Sequence, residues 1–135
     1  MSSKEYVLEW IQYSEMDLKT ANYLFENMYP RPLEIICYHC QQAVEKMLKG
    51  LLIAYGEKLQ RTHDLGLLAE QLTEFVDISD KQIEMCDELT PYGVKIRYPQ
   101  ELFVEEYHAI KALDNANQLC QWIKVKIQCK IETLP

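Results

Sequence analysis

At 135 residues the chain has room for one domain with its own core. Apolar residues make up 48% and charged residues 26%, a balance that excludes a disordered chain. The formal net charge of −7 repels a phosphate backbone at long range, which excludes a general nucleic-acid coat while leaving room for a local basic groove.

Ser2 to Glu5 fits a capping box, Ser-x-x-Glu, opening a first helix. Val7, Ile11, Leu18, Ala21, Phe25 and Met28 then recur mostly at three- and four-residue steps. Pro30 and Pro32 end this helix and set up the next, predicted from about Pro32 to Tyr55. Leu33, Ile36, Cys37, Cys40, Val44, Met47, Leu48, Leu51 and Leu52 occupy about half the circumference of the second helix, a width expected of a central helix. Glu34, Tyr38, Gln41, Gln42, Glu45 and Lys49 form its opposite stripe, and Gly56 supplies a stop. Thr62 or Asp64 caps a short third helix with Leu65, Leu68 and Leu72 inward. Ser79-x-x-Gln82 opens a fourth, carrying Ile83, Cys86 and Leu89, which Pro91 and Gly93 break. Residues 94–102 are expected to be irregular. A last helix is predicted from Phe103 to Ile131, with Tyr107, Leu113, Ala116, Cys120, Ile123 and Ile127 on its apolar face. No segment alternates as a strand, so the fold class is all-α, an up-and-down bundle of four to five helices spanning 1–135 as a single domain.

Five cysteines is an odd, scattered count and not a disulfide framework. The start, Met-Ser-Ser-Lys-Glu, lacks an apolar signal core, and no run reaches the ~18 apolar residues that span a bilayer. A cytoplasmic protein with reduced thiols is expected. Cys37-x-x-Cys40 has no second pair to complete a zinc site, and both cysteines fall on the apolar arc, so they are expected in the core with no metal.

Gln41, Glu45 and Lys49 stand at four-residue spacing on one ridge. They are either a solvated face with a Glu45–Lys49 pair or the polar wall of a groove. Thr62-His63-Asp64-Leu65 reads more simply as a helix cap than as a catalytic pair. Arg97 can bind phosphate bidentately or anchor its own segment to Asp17, Glu45 or Glu105. Lys124, Lys126 and Lys130 suit the end of the last helix.

Gln41-Gln42-Ala43-x-Glu45-Lys46-x-Leu48-Lys49, Thr62-His63-Asp64-Leu65 and Arg97-Tyr98-Pro99 together resemble the HEPN domain, over roughly Tyr6 to Ile123. That family comprises small helical modules found beside or fused to nucleotidyltransferases and in toxin–antitoxin pairs. Its ribonucleases carry Arg-x4–6-His. From Arg97 those positions are Leu102, Phe103 and Val104; from Arg61 they are Gly66, Leu67 and Leu68; from Arg31 they are Ile36, Cys37 and Tyr38. None is histidine, and His108 lies eleven residues after Arg97.

The resemblance therefore implies a non-catalytic accessory or binding protein of the Arg-Tyr-Pro branch. It would work with a separately encoded nucleotidyltransferase, bind nucleotide and need no cofactor. The candidate ligand-binding residues are Gln41, Glu45, Lys49 and Arg97, then Tyr98 and His63. The alternatives are a ribonuclease toxin using an atypical Arg97/His108 pair and a dimerisation scaffold without ligand. Trp10, Tyr13 and Tyr23, beyond the core stripe of the first helix, point to a homodimer.

Overall fold

The computed structural model describes residues 2–93 and 103–135. It contains α1 (Ser3–Asn27), α2 (Leu33–Ala54), α3 (Leu65–Leu72), α4 (Asp80–Leu89), a 3-10 turn at Thr90–Gly93 and α5 (Glu106–Ile131), with no strand among the described residues. The all-α up-and-down bundle expected from the sequence is what forms.

The helix boundaries follow their local chemistry. Ser2 and Glu5 close a reciprocal capping box at the head of α1, and Ser79 and Gln82 do the same for α4. Asp64, not Thr62, caps α3 by accepting from the Leu67 N–H; Thr62 Oγ1 accepts from the Asp64 N–H one step earlier. Gly56 leaves α2 at φ +83°, a conformation that suits glycine. Arg31 then ties the first connection to the start of α5. Its guanidinium donates to the Phe25 carbonyl (2.6 Å) and the Tyr29 hydroxyl (2.7 Å), lies over both rings, and pairs with Glu106.

α2 is the centre. Ser14 on α1 donates to the Ala43 carbonyl (2.6 Å), and a Cβ at Gly50 would come within 3.1 Å of Trp10 Cβ and 3.6 Å of Ile127. Residue numbers rise on α1 as they fall on α2 across these contacts, so the two helices run antiparallel with α5 closing the far side. From Cys40 to Leu52 only Gln42 and Lys46 are not buried. Side chains of all five helices join one apolar cluster.

Four expectations need correction. Gln41, Glu45 and Lys49 are buried rather than solvated, because the approach to α3 and the 3-10 turn cover that side of α2. α5 begins at Glu106, and Phe103 before it is 77% exposed. Tyr107 is exposed because the helical turn sets it nearly opposite Ala109, Ala116 and Ile127, the residues that face the core. Met28 is exposed because it is the C-cap of α1, already in extended conformation.

Candidate functional site

Four of the sequence-predicted residues, Gln41, Glu45, Lys49 and His63, converge where α2, the entry to α3 and the 3-10 turn meet. Gln41 Nε2 donates to Glu45 Oε1 and to the His63 carbonyl, both at 3.1 Å, and Gln41 Oε1 accepts from Gln42 at 2.8 Å. Glu45 Oε1 also bonds His63 Nδ1 (2.8 Å), while Glu45 Oε2 takes the Lys49 ammonium (3.0 Å). Both Glu45 and Lys49 are nearly enclosed, yet the His63 side chain remains 70% exposed. Burial alone would push the Glu45 carboxyl up. Donors from Gln41, His63 and Lys49, with the Lys49 charge, outweigh it and hold the group below the usual carboxylate value.

This clasp has a lid that the sequence pattern did not announce. A Cβ on Gly93 would lie 2.8 Å from Gln41 Cδ and Nε2, so the turn rests directly on the Gln41 amide. Thr90 Oγ1 accepts from the Leu65 N–H (3.1 Å), fastening the same turn to α3. Gly93 reads in the sequence as a helix breaker; its packing role depends on a neighbour fifty-two positions away. Arg97 and Tyr98 lie outside the described residues.

A second cluster sits on another face of α2. Asp17 accepts from His39 Nδ1 (2.9 Å) and from Lys46, which hold its carboxyl below the usual range despite burial. It repeats the chemistry of the first, a carboxylate between a histidine and a lysine, but joins α1 to α2. Spacing could not reveal it, since Asp17 and Lys46 are twenty-nine residues apart.

Cys37 and Cys40 are buried in the α2 core as expected. Burial pushes the thiols of Cys37, Cys86 and Cys120 up to about 12, and that of Cys40 up as well. Iodoacetamide should therefore label native protein at exposed Cys129 and reach the four buried cysteines only after unfolding. Rapid native labelling of Cys37 or Cys40 would contradict this, and stoichiometric zinc in protein purified without added metal would contradict the core assignment. No group of three or more potential metal ligands occurs among the described residues. Nor is any described helix long and apolar enough to cross a membrane.

His108 stands in the first turn of α5, where Nδ1 accepts from the Glu105 N–H at 2.9 Å. It lines a cleft of about 370 Å³ with Glu88, Tyr92, Tyr107 and Lys111.

The HEPN domain model matches residues 7–127. The chain belongs to the HEPN family. A crystal structure of TT1696 from Thermus thermophilus is 26% identical and superposes with a TM-score of 0.75, covering 89% of this chain and 97% of that one. ST0689, an archaeal HEPN homologue, is 25% identical with a TM-score of 0.69, covering 90% and 97% respectively. No curated protein matches the chain. In this HEPN domain the Gln-Gln-Ala-x-Glu-Lys and Thr-His-Asp-Leu motifs bond to each other, through Gln41, Glu45 and His63.

Proposed function

We propose that this HEPN protein is a non-catalytic accessory module of the Arg-Tyr-Pro branch, working in the cytoplasm with a separately encoded nucleotidyltransferase and binding nucleotide. The observation that carries the non-catalytic part is the missing Arg-x4–6-His histidine. His108, the nearest substitute, already gives Nδ1 to a backbone N–H and so supports helix capping more than acid–base work. Nucleotide binding rests on Arg97 together with the exposed edge of His63, with Glu45, Gln41 and Lys49 holding that imidazole from behind. Tyr98 adds a ring for stacking. A thermal-shift screen of nucleotides, with an RNA-cleavage assay beside it, tests both parts. Arg97→Ala should weaken nucleotide affinity by about 1–3 kcal/mol while leaving the melting temperature nearly unchanged. A fall in stability with no separate nucleotide effect would make Arg97 an anchor. RNA cleavage lost in His108→Ala would establish the toxin alternative, which the cleft beside His108 favours.

The same protein is proposed to form a homodimer through the outer face of α1. Leu8, Met16 and Tyr23 are 43%, 57% and 65% exposed there, an apolar surface that the bundle leaves uncovered. Light scattering should give twice the 16.0 kDa chain mass at micromolar concentration, and Tyr23→Glu should shift it toward monomer. A monomeric wild type rules the dimer out.

A further inference from the structure

The chain has three histidines, and their hydrogen-bond partners fix where each neutral ring keeps its proton. At His108, Nδ1 accepts from the Glu105 backbone N–H, a group that can only donate, so the proton is on Nε2. At His63 the order is reversed. Its Nδ1 lies 2.8 Å from Glu45 Oε1. The Glu45 carboxyl is held below its usual value, so it is ionised and can only accept. Nδ1 therefore carries the proton, and the lone pair of the neutral ring is on Nε2. That nitrogen has no hydrogen-bond or ion-pair partner among the described residues, and the side chain is 70% exposed. His39 is arranged in the same way on Asp17, but its side chain is only 26% exposed. Of the three, His63 combines an unshared electron pair on its outer nitrogen with open access.

Behind that ring stands a fixed counter-charge. Glu45 is nearly enclosed, and Gln41 and Lys49 hold its two oxygens in place. When Nε2 attacks an electrophile the imidazole gains positive charge, and a carboxylate bonded at Nδ1 stabilises it. A metal ion at Nε2 would need further ligands, and no group of three or more occurs among the described residues.

We propose that His63 Nε2 is a phosphoryl-acceptor site, taking the group from a phosphoramidate-class donor, one with a P–N bond. The Nε2 lone pair forms the new N–P bond as the donor's P–N bond breaks. The leaving nitrogen keeps that electron pair and departs as an amine, having taken its proton from water. The Nδ1 proton stays, facing Glu45 Oε1. Such a donor asks only for a nucleophile and a counter-charge, which is what this site contains. A phosphoanhydride loses an anion and gains from a cation beside it, yet Lys49, the cation of the clasp, is nearly enclosed and paired with Glu45 Oε2. The inference goes beyond nucleotide binding and does not rest on it.

The test treats the full chain with potassium phosphoramidate in mildly alkaline buffer. Phosphorus NMR and peptide mass spectrometry without acid read which histidine, and which of its nitrogens, carries the group. His63 should be phosphorylated first, at Nε2, ahead of His39 and His108. It should react about two- to fivefold faster in the folded chain than in the urea-unfolded one, the factor that a charge-assisted bond at Nδ1 supports. Exposure alone would give no such excess. Glu45→Gln combined with Lys49→Met strands no buried charge and should lose the excess while circular dichroism shows the fold intact. Magnesium ATP should leave His63 unmodified. Phosphorylation of His63 at Nδ1, a folded rate no greater than the unfolded one, an undiminished excess in the double variant, or equal labelling by magnesium ATP would each overturn the proposal.

Discussion

Replacing Glu45 with glutamine should be the most damaging polar substitution in the molecule, costing about 3–5 kcal/mol of unfolding free energy. The reason is what remains. Lys49 stays nearly enclosed with its counter-charge gone, and His63 Nδ1 and Gln41 Nε2 face a weaker acceptor. Chemical denaturation measures the loss. Glu45→Gln combined with Lys49→Met should recover much of it, because the stranded charge is then absent. A loss below about 1 kcal/mol would mean that water already solvates Lys49, as at an ordinary exposed pair.

The same carboxylate gives the protein an acid limb. Its folded-state pKa is depressed, so its contribution is fully present above the unfolded-state value of about 4.3 and disappears as pH falls through the lower folded value. Asp17 adds a second contribution of the same sign, from an unfolded value of about 3.9. The melting temperature of Glu45→Gln should fall less steeply with acid than that of the wild type. Parallel acid limbs would remove Glu45 from the account.

Gly93→Ala should cost about 1–3 kcal/mol, although a methyl group at the end of a surface turn is ordinarily harmless. The new Cβ would press on Gln41 at 2.8 Å, and Gln41 cannot retreat because it is fully buried and bonded to Glu45, Gln42 and the His63 carbonyl. A double-mutant cycle decides the mechanism. In a Gln41→Ala background the Gly93→Ala change should cost far less, giving a coupling of about 0.5–3 kcal/mol. Equal costs in both backgrounds would locate the effect in the turn itself.

What the sequence made legible is what nearby residues determine. Both capping boxes, the Asp64 cap, the Gly56 stop and the breadth of the α2 apolar arc are local or periodic signals, and each has its structural counterpart. Four residues that the motifs singled out, Gln41, Glu45, Lys49 and His63, do form one cluster. Their burial was not legible, because the segments that cover them follow much later in the chain. Helical spacing says which residues share a face and not whether that face meets water. The meeting of Asp17, His39 and Lys46 was not legible for the same reason: it is a property of how α1 lies on α2. Arg31, which the sequence offered only as a possible start of an Arg-x4–6-His motif, is a latch between the first connection and α5.

The two carboxylates that each bridge a histidine and a lysine have a further consequence, for alignment. Apolar stripes repeat with the helical turn, so α1 could slide along α2 by one turn, about 5.4 Å, and still set oil against oil. Asp17 makes that slide expensive. It would leave both His39 and Lys46, and Ser14 would lose the Ala43 carbonyl in the same step. Glu45 does the equivalent for the chain entering α3, where a shift would part it from His63. Hydrophobic contact brings these helices together, and the charged pairs choose among the ways in which they could lie.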